Sequence, residues 1–289
     1  MTDLEIERFC NHLKLRNYSR HTVESYRIDL RLFFATADKP LKQITWREVD
    51  RFIERQHGQG LAATTINRRL KAIKRFFDYL IEQERLLVSP VKPSHYVKEG
   101  RPLPKKLSQE QVKKLFAKIR TLLDRALFLL MLRCGLRVSE VAQLKITDID
   151  WEQKALLVEQ GKGRKDRRVY ISDDALTSLK ECSEVRPRYV PGSYFFWNQK
   201  RKHKPLGIKA IQKKMERLAK AAGVKASCHS LRHTFASNLL EEGAEVISIK
   251  EFLGHESITS SERYARMSNQ RVKQVYMQTI KKVIQKTKV

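Results

Sequence analysis

The chain has 289 residues, 41% of them apolar, which is too long for one small core, enough for two domains and too apolar for a disordered chain. Its 59 lysines and arginines against 32 acidic residues give a formal net charge of +27, an excess that opposes compaction unless a polyanion neutralises it. Nucleic acid is therefore the expected partner; no membrane span is expected from an apolar run as short as 126–132, and no signal peptide from the acidic opening MTDLEIERF.

The expected setting is the cytoplasm, at the nucleoid. The four cysteines (Cys10, Cys134, Cys182 and Cys228) are scattered without metal-ligand spacing and read as buried or incidental thiols. Neither a metal nor a cofactor is expected.

In chain order, Ile6, Phe9, Cys10 and Leu13 follow helical spacing, and Val23, Tyr26, Leu30 and Phe33 repeat it. Thr45 and Glu48 form a capping box ahead of Val49, Phe52 and Ile53. A longer helix follows with Ile66, Leu70, Ile73, Phe77 and Leu80 on one face. Its other face carries Asn67, Arg68, Lys71, Lys74 and Arg75, and Arg68, Lys71, Lys74 and Arg75 are candidate contacts to a DNA backbone. An ordinary solvated face has the same composition. Four helices with short connections predict a compact bundle over 1–87. The stretch 88–106, rich in proline and basic residues, predicts an extended linker.

The remainder, 107–289, is mixed. Ser108 and Gln111 cap a helix carrying Val112, Leu115, Phe116 and Ile119, and residues 121–133 are apolar nearly all round, as in a buried helix that Gly135 can end. Residues 155–159 and 167–172 predict two strands around the tip QGKGRKD, with 194–196 as a third. Helical spacing resumes at Ile208, Ile211, Met215 and Leu218, and closes the chain at Val272, Val275, Tyr276, Ile280, Val283 and Ile284. The fold class is mainly α with a small β-sheet, α+β.

Four strings carry chemistry. In CGLRVSE (134–140), Arg137 stands between apolar residues, where a guanidinium is costly to bury without an anion; its ordinary partner is Glu140. In GKGRKD (161–166), glycines flank Lys162 at a hairpin tip, the composition of a solvated turn as well. In HSLRHTFAS (229–237), His229 and Arg232 share a helix face, one able to move a proton and the other to fork onto phosphate oxygens. In LGHESITSSERY (253–264), His255 follows an apolar helix and Tyr264 lies nine residues on. Taken singly, each string has a plain structural reading.

Taken together and in this order, the strings resemble the tyrosine recombinase (phage integrase) family, over nearly the whole chain. The bundle is similar to the family's SAM-like core-binding domain and the rest to its catalytic domain. The resemblance implies that Arg137 and Arg232 clamp the scissile phosphate, Tyr264 is the nucleophile, Lys162 protonates the departing 5′-oxygen, His229 takes part in proton transfer with the tyrosine, His255 bonds a phosphate oxygen, and Glu140 positions the cations. It implies double-stranded DNA with a specific recombination site as partner. It also implies a homo-tetramer on DNA, with or without a paralogous recombinase, in which the C-terminal helix is donated to a neighbouring protomer. That helix packing on its own domain is the competing reading; on the donation reading, deletion of 270–289 spares single-site cleavage and abolishes synapsis. No further domain is expected ahead of the bundle, which makes the expectation a Xer-like recombinase without an arm-binding domain.

Cys134, Ser260-Ser261 and Ala265-Arg266 depart from the family's commonest residues without removing a catalytic group. They leave two roles open: integration, excision or resolution of a mobile element or replicon, and Xer-type chromosome dimer resolution. Two other activities compete: a non-catalytic architectural or regulatory DNA-binding protein, and a type IB topoisomerase-like enzyme acting alone.

Overall fold

The structure is a computed structural model, and it describes residues 2–100, 106–158, 166–188, 190–200, 204–253 and 269–287. The chain divides into two compact units at residues 102 and 103.

The first unit holds α1 (Thr2–Leu15), α2 (Arg20–Ala37), α3 (Trp46–Gly58) and α4 (Ala63–Glu82). Local chemistry sets their ends. Ser19 caps α2 by accepting from the Thr22 amide at 3.0 Å, and the expected box of Thr45 and Glu48 opens α3. The helical stripes converge on one core in which Phe9, Phe33, Phe52, Phe76 and Phe77 are fully buried. Their rings meet edge to face, Phe9 on Phe76 at 5.5 Å and Phe33 on Phe52 at 5.4 Å, the arrangement that ring quadrupoles favour.

Residues 91–97, expected as part of an extended linker, lie against this unit. Val91 and His95 are buried. Asn67 acts as a short strand edge: its side chain donates to the Val97 carbonyl at 2.8 Å and accepts from the Val97 amide at 2.9 Å. Satisfying a buried amide in this way is what ties the strap down.

The second unit contains α5 (Gln109–Phe116), α6 (Leu122–Arg133), α7 (Val138–Gln143), β1 (Ile149–Asp150), β2 (Ala155–Val158), β3 (Arg167–Tyr170), α8 (Asp173–Glu184), α9 (Ile208–Ala222), α10 (Cys228–Glu241), α11 (Val246–Leu253) and α12 (Asn269–Lys286). The buried helix expected at 121–133 is α6, packed between α8 and α10. The sheet is antiparallel in the order β1-β2-β3, with Val158 opposite Arg167 and Ala155 opposite Tyr170.

The third strand is 149–150, not the expected 194–196. Tyr194 makes a single bridge to Lys145, and Phe195 and Phe196 are fully buried. A run buried on successive residues offers no alternation for a sheet face, and here it fills the core as irregular chain.

The apolar face of α12 is covered within its own chain. Tyr276, Ile280 and Val283 are buried with Phe235 and Leu239 of α10, Phe252 and Leu253 of α11, and Tyr170 of β3. No helix among the described residues is long and apolar enough to cross a membrane.

Candidate active site

Gly135 sits at φ +67, beyond the last turn of α6, and lets the chain reverse into α7 within three residues. A Cβ there would also clash with the ring of Phe235. The turn delivers Arg137 to the start of α7, where Glu140 closes a capping box by accepting the Arg137 amide at 2.7 Å.

Glu140 is the hub of the site. Its Oε1 accepts Arg137 Nη1 at 2.8 Å and Arg167 Nη1 at 2.9 Å, and its Oε2 accepts Arg167 Nη2 at 2.9 Å. Arg232 Nη1 stands 3.7 Å from Oε2. The side chains of Glu140, Arg167 and Arg232 are 11%, 10% and 7% exposed, against 31% for Arg137, so Arg137 forms the open side of the cluster. Burial by itself would raise the Glu140 pKa, but the hydrogen bond and charge of Arg167 and the hydrogen bonds of Arg137 outweigh it and hold the carboxyl below its ordinary value.

Arg232 donates to the carbonyls of Gly135 and Leu253, the latter at 2.5 Å. Burial, and then the neighbouring charge of Arg137, bring its pKa down to about 10, so it remains a cation at neutral pH. His229 lies in the first turn of α10, whose N-terminus is closed by the pair Ser227 and Ser230. Its Nε2 is 2.8 Å from His233 Nε2. Burial, and then the charges of His233, Arg232 and Arg137, lower its pKa, which keeps the imidazole neutral at pH 7.

The structure thus brings together Arg137, Glu140, His229 and Arg232. Lys162, His255 and Tyr264 lie outside the described residues. Arg167 and His233 were not anticipated. The signal for Arg167 was its place two residues before the buried Val169 in a strand, which puts both on the inward face.

The four residues proposed for backbone contact lie along α4 in different states. Arg68 pairs with the buried Asp29, Lys74 with Asp78 at 2.8 Å, and Arg75 donates to the Tyr18 hydroxyl at 3.3 Å, while Lys71 is exposed. No group of three or more His, Cys, Asp or Glu able to hold a metal is found among the described residues. All four cysteines are buried, and burial pushes the thiols of Cys134 and Cys182 up to about 12 and that of Cys228 to about 11, which leaves them unreactive.

The profile of the phage integrase family matches residues 105–271, and that of its N-terminal SAM-like domain residues 6–84. The chain belongs to the phage integrase family. Tyrosine recombinase XerA of Pyrococcus furiosus is 34% identical over 93% of this chain and 91% of its own length. Tyrosine recombinase XerC of Thermodesulfovibrio yellowstonii is 31% identical over 95% of each. The fold is also that of the Tn1549 transposon integrase solved in complex with transposon right-end DNA, with a TM-score of 0.75, 17% identity, and coverage of 96% of this chain and 99% of the other. As a tyrosine recombinase, this integrase-family chain is a DNA strand-transferring enzyme.

Proposed function

We propose that the chain cleaves and rejoins double-stranded DNA at a specific site through a 3′-phosphotyrosyl intermediate on Tyr264. The observation that carries this reading is the set of three arginines gathered on Glu140. Among the described residues, three guanidinium groups meet one carboxylate in a largely desolvated pocket, an arrangement suited to an anion that it can fork onto. A phosphodiester is such an anion, and displacement at phosphorus adds negative charge that preorganised cations stabilise more than they stabilise the ground state.

In the proposed reaction Arg137 and Arg232 hold the non-bridging oxygens. The Tyr264 oxygen bonds to phosphorus as the bond to the 5′-oxygen breaks. The phenolic proton passes to His229, which burial keeps neutral and ready to accept it. Lys162 supplies a proton to the departing 5′-oxygen, and His255 donates to a phosphate oxygen. The roles of Lys162, His255 and Tyr264 rest on the family resemblance. The new ester conserves the energy of the old one, so attack by a second 5′-hydroxyl reseals the strand without a cofactor or metal.

The assembly we propose is a homo-tetramer on two duplexes, or one shared with a paralogous recombinase, working in the cytoplasm at the nucleoid. Resolution or transfer of a replicon or mobile element follows from that chemistry. Xer-type chromosome dimer resolution is the reading favoured by the names of relatives that match over nine-tenths of their length.

The test uses a duplex enriched by this chain from a randomised pool and nicked beside the cleavage point, so that the covalent complex is trapped. Wild type is expected to give a DNA–protein adduct on denaturing gels and Tyr264→Phe none. Tight binding without an adduct would make the chain a non-catalytic DNA-binding protein or one dependent on a partner recombinase.

A further inference from the structure

We propose that Arg167 is a positioning residue for strand transfer: it locks Glu140 between the two clamping arginines and pins the end of α11, from which the chain runs on to His255. The inference rests on the reading of the site given above.

The geometry uses the whole guanidinium fork. Nη1 and Nη2 bind the two oxygens of Glu140, both at 2.9 Å, while Nε donates to the Phe252 carbonyl at 3.1 Å. Glu140 in turn takes both the amide and the guanidinium of Arg137. A carboxylate gripped in the plane of one arginine has a fixed orientation, and that orientation sets where Arg137 and Arg232 stand.

The second tether acts on α11. A helix leaves its last carbonyls without partners inside the helix, at the negative end of its dipole. Here the final two, Phe252 and Leu253, are taken by Arg167 and Arg232. Residue 255 is two positions beyond. Strand β3, helix α7 and the end of α11, far apart in sequence, are thus joined at one side chain. A purely electrostatic task would be met by any cation, and a purely structural one by any stable pair. The three directed bonds satisfy neither description, because they need the planar fork and converge on the reacting groups.

The test is single-turnover cleavage of the nicked duplex described above, by the full chain carrying Arg167→Lys or Arg167→Met. Affinity for the same duplex is measured in a Tyr264→Phe background, and thermal unfolding is followed in parallel. Lys keeps the charge but reaches one partner at a time. Arg167→Lys is expected to lower the saturating cleavage rate about 100-fold, with DNA affinity within about threefold of wild type and unfolding within a few degrees. Arg167→Met is expected to lose more, and Lys to recover part of that loss.

Combining Arg167→Met with Glu140→Gln should cost far less than the product of the single losses, because both act through one carboxylate. Should Arg167→Met not fold, Arg167→Lys alone carries the test. Cleavage by Arg167→Lys within threefold of wild type, losses that multiply in the double variant, or a rate that falls only in step with unfolding would each overturn the inference. An inactive wild type would instead overturn the reading of the site on which it rests.

Discussion

Gly135 is where backbone freedom and site geometry meet. Its positive φ and its close approach to Phe235 depend on the missing side chain, and its carbonyl accepts from Arg232. Gly135→Ala is expected to destabilise the second unit by about 2–4 kcal/mol, adding the left-handed strain of an L-residue to overpacking against an aromatic ring. Calorimetry should show its transition roughly 5–10 °C lower. His229 makes a pH prediction. Its pKa lies below the ordinary imidazole value of about 6.5 because burial and then the charges of His233, Arg232 and Arg137 disfavour protonation. The neutral, proton-accepting form therefore persists as pH falls through 6.5. Cleavage under subsaturating conditions, which reports groups of the free enzyme, should keep its acid limb below that value. A limb at or above 6.5 would remove His229 as the acceptor. The same sign applies to folding: the unfolded chain takes up the proton more readily, so this contribution to stability is lost as pH drops.

The elements show how short-range signals and packing divide the work. Capping boxes at Thr45 and Ser108 and the apolar stripes of α1 to α4 were legible because they depend on neighbours three or four residues away. The turn of residues 194–196 into irregular core was not, since a short apolar run has no period of its own. Helix α12 adds a second outcome to the deletion of 270–289. Beyond its apolar face, Thr287 just after it supplies two bonds at 2.7 Å to the fully buried Arg133, and Tyr276 donates to the Arg133 carbonyl at 3.0 Å. Removing 270–289 therefore uncovers Phe235 and Phe252 and leaves Arg133 with Asp174. The truncated chain is expected to lose cooperative melting of the second unit, not merely the ability to pair protomers. Tyr276→Phe, which takes the buried hydroxyl donor from the Arg133 carbonyl, should cost about 1–3 kcal/mol. Cooperative melting of the truncated chain at the wild-type temperature would contradict the packing seen here.

At the scale of the molecule, the formal charge of +27 favours a polyanion, and the number of phosphates neutralised sets how binding responds to salt. Each neutralised phosphate releases counterions, so the logarithm of affinity should fall linearly with that of salt, by about 0.9 per contact. For six to ten contacts this is a loss of roughly 10³–10⁵ between 50 and 200 mM. Within α4 the residues should separate. Lys71→Ala is expected to lower affinity and reduce the salt slope by about one with unchanged melting. Arg68→Ala should also destabilise the first unit, because it strips a hydrogen-bonded partner from the buried carboxylate of Asp29. Titrations of both variants at several salt concentrations, with melting curves alongside, decide this.

Charge, helical periodicity, caps and the ordered strings around Arg137, His229 and Arg232 were readable along the chain, because each is a matter of composition or of near neighbours. That Glu140 binds three arginines was not. Residues 137, 140, 167 and 232 come from three elements up to 95 positions apart, and only the packing of α6, α7, β3 and α10 closes those distances. Along the chain, Arg167 is one more basic residue at the start of the strand predicted over 167–172. Burial beside a carboxylate and a helix end turned it into part of the site, since desolvation makes every such bond count for more.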